Sequence, residues 1–286
     1  MSAFAISPAF LLTGLVGGLA IGLTGMGGGA VLTPVLLALG VPASTAVGSD
    51  LLASLVIKPF AGAVHSSAKT VRWDLVRWLA IGSVPAALLG SLLSSRLTSH
   101  GEGALRQAIG ATLLLAASAM FFRATQALRH KRALRSTVGN DSLTSKTLLS
   151  TDASGVPETA VVGLPGGNAR PLYTVGLGIL GGFLVGLTSV GSGSLMVVLL
   201  TLLYPKLSPK ALVGTDIVQA IPLVAAAAFG HVLTGSFRLG LTAALLIGGI
   251  PGALIGARLS SGRATQVVRP VLITMLLATG VKLVAG

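Results

Sequence analysis

The chain has 286 residues, 52% of them hydrophobic and 9% charged, with a formal net charge of +13. Soluble domains carry about 25% charged residues, so these proportions exclude an ordinary soluble domain. The apolar runs are continuous rather than alternating, which selects membrane helices over a membrane β-barrel, and the basic excess then belongs in cytoplasmic loops rather than on nucleic acid.

Met1 to Ser7 holds no Lys or Arg, and the first apolar run continues into a glycine stretch, so a secretory signal is not expected. That run has two short parts, about residues 8–23 and 29–39, parted by Gly22-Leu23-Thr24-Gly25-Met26-Gly27-Gly28-Gly29. After Gly40-Val41-Pro42 come apolar segments at about 44–64, 73–97 and 104–122, each near the ~20 residues that cross a hydrocarbon core. A polar stretch follows, opening with Arg123, Arg129, His130, Lys131, Arg132 and Arg135 and then turning rich in Ser, Thr and Gly. It reads as a flexible cytoplasmic linker. The pattern then returns at about 172–187, 194–203, 211–233, 239–259 and 264–284, with the second break at Gly186-Leu187-Thr188-Ser189-Val190-Gly191-Ser192-Gly193.

This is a duplication. At an offset of 166, Gly48, Asp50, His65, Arg72, Gly82, Pro85, Gly90, Ser94 and Ser95 meet Gly214, Asp216, His231, Arg238, Gly248, Pro251, Gly256, Ser260 and Ser261; the two breaks align at 164. An acid, a histidine, an arginine and a proline in one register are not coincidence among glycines. The domains are a first membrane repeat at 1–124, a basic linker at 125–171 and a second membrane repeat at 172–286. With the linker cytoplasmic, Lys69, Arg72, Arg77, Lys206, Lys210, Arg258 and Arg263 fall inside when each broken pair is a hairpin. Each half then has three full spans, and an odd number inverts the second half. The expected fold is an all-α integral membrane protein of two homologous, inverted repeats. Each repeat has a broken, re-entrant helix pair and three transmembrane helices, and both termini face outward.

Matched glycine interruptions are the sequence mark of a transporter binding site. Non-helical backbone at membrane depth persists only inside protein or along a wet cavity. Helices starting at Gly29 and Gly193 would aim bare N–H groups and partial positive charge at the breaks, an arrangement that suits an anion. The expected substrate contacts are Thr24, Gly25, Met26, Gly27, Gly28 and Gly29 with Thr188, Ser189, Val190, Gly191, Ser192 and Gly193. The bland alternative is that the glycines only let helices pack closely. Asp50 and Asp216 are the acids inside the apolar runs. Such a carboxylate is a candidate proton carrier, or else a structural acceptor for the N–H groups of the break. His65 and His231 are polar caps or proton relays. Lys58, whose counterpart is Val224, either attracts an anion along the pathway or, as the favoured reading, snorkels to the inner interface. Arg72 and Arg238 are loop anchors or gates, while Pro85 with Gly90 and Pro251 with Gly256 read as kinks. No nucleophile elbow, no H-E-x-x-H and no ligand cluster is present, so neither enzyme chemistry, a metal nor a cofactor is expected. Cysteine is absent, which removes disulfides and thiol chemistry.

Gly25-Met26-Gly27-Gly28-Gly29, Thr33-Pro34, Leu39-Gly40-Val41-Pro42, Ala46-Val47-Gly48-Ser49-Asp50 and the later Gly214-Thr215-Asp216 together resemble the sulfite exporter TauE/SafE family of membrane permeases. The resemblance covers nearly the whole chain except the linker; the second break is less glycine-rich than the pattern. It implies a transporter in a bacterial-type inner membrane, without a prosthetic group, for small sulfur-containing or organic anions such as sulfite and sulfonates, usually outward. The expected function is therefore alternating-access transport of such an anion, with H⁺ as coupling ion and the bilayer as the other partner. An anion channel and a non-transporting membrane scaffold are the alternatives.

Overall fold

The structure, a computed structural model, describes residues 7–24, 28–65, 71–99, 101–138, 171–205, 207, 209–259 and 264–285. Among the described residues there are ten α-helices and no strand: α1 (Pro8–Thr24), α2 (Leu32–Ala38), α3 (Ala43–His65), α4 (Trp73–Ser99), α5 (Glu102–Val138), α6 (Pro171–Thr188), α7 (Ser194–Leu203), α8 (Pro209–Leu233), α9 (Leu239–Leu259) and α10 (Ala264–Ala285). Five stretches among them are long and apolar enough to cross a membrane, at Trp73–Thr98, Glu102–Phe122, Pro171–Thr188, Gly214–Leu233 and Leu239–Leu259. The all-helical membrane architecture expected from the composition is thus present.

Two expectations about element bounds change. The second part of the first broken run is not a helix from Gly29. It is a single 3₁₀ turn at Gly28–Ala30 followed by the seven residues of α2, whose N-terminal residue Val31 offers no side-chain cap. Three successive glycines hold helical dihedrals poorly. The helix end is clean by contrast. Gly40 takes φ +81, its N–H bonds Leu37 O, and the Val41 N–H reaches back to Leu36 O, so a left-handed residue ties off the last carbonyls. Second, the segment expected to end near Phe122 continues as α5 to Val138. The added residues are mostly Ala, Leu, Arg, Gln and Lys, which favour helix even where nothing packs on them. Of the expected linker, residues 139–170 lie outside the described residues. α4 and α9 each contain their proline, Pro85 and Pro251, within one helix at the expected bounds.

The two halves are interleaved. α1 packs chiefly on α9, and its equivalent α6 packs chiefly on α4, the equivalent of α9. The same exchange relates the α3–α9 contact to α8–α4, while α3 meets its own equivalent α8 and α5 meets α10. Each major contact therefore has a partner under exchange of the halves. The reason is a seam of small residues. Gly14, Gly18 and Gly22 lie one turn apart on α1 and abut Leu245, Gly249 and Ala253 of α9; Gly178, Gly182 and Gly186 do the same on α6 against Leu79, Ser83 and Ala87 of α4. A Cβ at any of these six glycines would run into the facing backbone. Without a hydrophobic force between helices in lipid, this close backbone approach supplies the dispersion that joins them. Gly90 and Gly256 belong to the same seams, against Phe183 O and Leu19 O, which is what those glycines do beside the prolines.

The contact order along each seam shows direction. α1 and α9 run the same way, as do α6 and α4. α3 and α8 run oppositely, because Gly48 near the start of α3 meets His231 near the end of α8, and Arg72, past the end of α3, meets Thr215 near the start of α8. The core is shared between halves: Val47, Leu51, Leu79 and Ala87 cluster with Val185, Val190, Met196 and Leu223.

Candidate functional site

The centre of the molecule is where the two breaks meet α3 and α8. Break two is a turn at 189–193 between α6 and α7. Ser189 sits at φ +61, a left-handed conformation unusual for a residue with a Cβ, and Gly191 at φ +104. The first break touches it directly: a Cβ on Gly29 would collide with the carbonyl oxygen of Ser189. Glycine at 29 is required by that approach. So the breaks are in contact, as their matching positions suggest, although Gly25, Met26 and Gly27 lie outside the described residues, as do the side chains of Thr24 and His65.

Asp50 is fully buried, yet well satisfied. Its Oδ2 accepts from Thr33 Oγ1 at 2.7 Å and from Ser189 Oγ at 2.8 Å, and its Oδ1 accepts from Ser54 Oγ at 3.2 Å. The carboxylate thus ties α2, α3 and break two together across the halves. The donors are hydroxyls; the sequence reading had anticipated backbone N–H groups. Each bond to an ionised acceptor is stronger than a neutral one.

Asp216, its counterpart on α8, is also buried, at 2% exposure. Its surroundings differ from those of Asp50 by substitution at every corresponding donor. Thr33 becomes Val197, Ser54 becomes Ala220, and Ser189 becomes Gly25. Lys58 lies on α3, two turns past Asp50, where the charges of both Asp216 and Asp50 reach it.

Lys58 corrects an expectation. It does not reach to the interface. Only 6% of it is exposed, and its Nζ donates to Ser192 Oγ at 2.7 Å, in the middle of break two. Burial of Lys58 depends on the other half, where α8 and α9 pack on α3 and Ser192 of break two meets its ammonium, and nothing local to residues 44–64 carries that information. The bland reading of the breaks is likewise only half of the picture. Gly22 and Gly186 are packing glycines, but Ser189, Ser192 and Gly29 carry the contacts of a buried polar centre.

The other named residues sit around this centre. His231 is buried, with Nε2 3.1 Å from Gly186 O at the last turn of α6, so it caps the approach to break two. Thr188 bonds the backbone on both sides, donating to Leu184 O and accepting from the Val190 N–H. Val190 and Gly193 are buried in the turn, and Gly193 N–H closes it on Gly191 O at 2.7 Å. Arg72 and Arg238 act through their main chains. Arg72 N–H donates to Thr215 Oγ1 at 3.1 Å, and Arg238 N–H donates to Ser49 Oγ at 3.2 Å. These are the same bond made twice, at opposite ends of the α3–α8 pair, beside Asp216 and Asp50 respectively. The Arg72 guanidinium pairs at the surface with Asp74, whose carboxylate raises its ionisation above the usual arginine range.

One buried group had no part in the sequence reading. Gln219, one turn past Asp216, donates from Nε2 to Ser83 Oγ on α4 at 3.0 Å. Its counterpart is Ala53, so an unmatched polar residue at a core-facing position was the available signal. Among the described residues, no group of three or more His, Cys, Asp or Glu residues is placed to hold a metal.

Comparisons with known proteins bear on the same span. The family described as "Sulfite exporter TauE/SafE" matches residues 10–283. The Bacillus subtilis (strain 168) protein named "Probable membrane transporter protein YjnA" is 37% identical over 282 residues, covering 98% of this chain and 100% of the relative. A second protein of the same strain, "Probable membrane transporter protein YunE", is 25% identical over 281 residues, covering 92% and 93%. No solved structure matches the chain.

Proposed function

The chain belongs to the sulfite exporter TauE/SafE family of membrane transporters, and from that premise we propose that it moves a small sulfur-containing or organic anion, sulfite being the first candidate, together with H⁺ by alternating access. The observation that carries this reading is the buried polar centre at the touching breaks. It joins Asp50, Asp216, Lys58, Ser189 and Ser192 from both halves. The N-terminus of α7 adds partial positive charge there, and the Gly191 and Ser192 N–H groups make no main-chain hydrogen bond among the described residues. An oxyanion wants just such donors.

Charge arithmetic favours a proton as companion. Two buried carboxylates and one buried ammonium sum to −1 when all are ionised. An added anion makes this −2 in a medium where isolated charge is costly, so a proton entering with the anion restores the balance. Asp50 is engaged by three hydroxyls, and the proton role falls to Asp216. The alternating step rests on inversion of the repeats. Parallel α1 and α9, antiparallel α3 and α8, and exchange-related contacts support a two-fold axis across the helices, with each broken pair returning to its own side. Rocking one half against the other then opens one end of the α3–α8 pair at a time.

The test is uptake of labelled sulfite into proteoliposomes holding the purified chain. Saturable uptake quickened by an imposed pH gradient is expected, with Asp216→Asn retaining exchange but losing the quickening. Flux that rises linearly without saturation would make the protein a channel. No flux of sulfite, thiosulfate or sulfoacetate removes the transporter reading for this substrate class.

A further inference from the structure

Lys58 is the least ordinary residue in the molecule. A lysine buried to 6% exposure in an apolar chain is expensive to keep and is retained for a task. Its ammonium has three N–H donors, of which, among the described residues, one is used, on Ser192 Oγ at 2.7 Å. A buried ammonium with spare donors is a strong attractor for an oxygen acceptor. Of the nearby carboxylates, Asp50 is held by Thr33, Ser54 and Ser189, and the charges of both Asp50 and Asp216 reach Lys58. Lys58 also breaks the symmetry of the repeats. Its counterpart is Val224, and the counterpart of Ser192 is Gly28, so the Lys–Ser pair exists once, on one side of the centre.

From these observations we infer that Lys58 is the cationic anchor of the transported oxyanion, holding it against the Ser192 hydroxyl in break two. The inference rests on the anion-transport reading above. It adds which residue selects a negative charge and where in the doubled framework the anion sits. The anion arrives between Lys58 Nζ and the turn at 191–193, and the Lys58–Ser192 bond opens to admit one of its oxygens. The class selected is a small oxyanion held through one oxygen, because Lys58 offers a point charge rather than a bidentate fork.

The experiment uses sulfite as the probe and the full chain in proteoliposomes. Lys58→Met keeps the length and removes the charge; the KM for sulfite should rise about tenfold or more, or uptake should vanish, while Lys58→Arg keeps part of it. Ser192→Ala should raise KM several-fold, with the protein still eluting as a single species. The chain has no cysteine of its own, so Lys58→Cys can be alkylated at one place only. Treatment with 2-bromoethylamine rebuilds a lysine-length ammonium and should restore uptake, whereas iodoacetamide, which adds a neutral group, should not. A KM unchanged within twofold in Lys58→Met or, should that variant fail to fold, in Ser192→Ala overturns the anchor while leaving the transporter standing. Wild-type protein that moves neither sulfite nor sulfoacetate overturns both.

Discussion

At the residue scale, the two aspartates show how a duplicated framework acquires two jobs. They occupy matching words, yet the three hydroxyls that donate to Asp50 give way to Val197, Ala220 and Gly25 at the corresponding positions of the other half. Asp50 therefore behaves as a strut. Replacing it with Ala removes three buried hydrogen bonds and leaves Thr33, Ser54 and Ser189 with buried hydroxyls to satisfy. The expected loss is about 3 kcal/mol, or roughly 6–12 °C in apparent melting temperature for a chain of this size. Thermal unfolding in detergent checks it, with Thr33→Val expected to lose about a third as much. A melting temperature unchanged in Asp50→Ala would show that the strut bears no weight. The acids themselves stood out in the sequence, since each is a charge inside an apolar run. The division of labour was less visible, although its signs are there: Thr33 against Val197, Ser54 against Ala220 and Ser189 against Gly25 are three departures from the repeat, all on one acid. Departures from an internal repeat carry information that the repeat itself hides.

At the element scale, the glycines fall into two groups with different physics. Most of those on α1, α4, α6 and α9 pave the seams, where the obstacle to a side chain is facing backbone that cannot step aside. Gly182→Ala should therefore lower the melting temperature or prevent assembly, because its Cβ lands on the Ser83 carbonyl. Gly176 is the control. It lies on the same helix with nothing within 4 Å of an added Cβ, so Gly176→Ala should be neutral or raise stability by about 0.5–1 kcal/mol through helix propensity. Equal effects at both positions would sink the seam. Hydrophobic length and proline–glycine punctuation placed nearly every helix within a few residues, because those signals are local. The start of α2 and the end of α5 escaped, for opposite reasons. Glycines 27–29 lack the side chains that would cap and hold a first turn, while the basic residues beyond Phe122 are polar but strong helix formers. The break of the second half, with its two serines, became α7 from Ser194 as expected.

At the scale of the whole molecule, direction is the decisive property. α1 is parallel to α9; α9 follows α8 through a short turn closed at Gly235, φ +66; and α8 is antiparallel to α3. We propose that α1 and α3 point the same way, with α2 and its glycine-rich entry as the piece that returns between them, and that α7 does the same between α6 and α8. If instead each broken pair crossed the membrane, α3 would oppose α1 and the two loops on either side of α8 would exchange faces. Those loops give the sharpest test of the inversion. With the basic segment after α5 on the cytoplasmic side, a thiol at Pro205, between α7 and α8, lies inside, and a thiol at Ser236, between α8 and α9, lies outside. In the cysteine-free chain, Ser236→Cys should react with an impermeant maleimide on intact cells, and Pro205→Cys should react only once the membrane is opened. Gly101→Cys, outside under either arrangement, calibrates the labelling. The reverse pattern at 205 and 236 would make the halves parallel and remove the two-fold axis in the membrane plane. The matched Arg72–Thr215 and Arg238–Ser49 bonds would then no longer face opposite sides, and an opening that alternates between the ends of α3 and α8 would lose its structural basis.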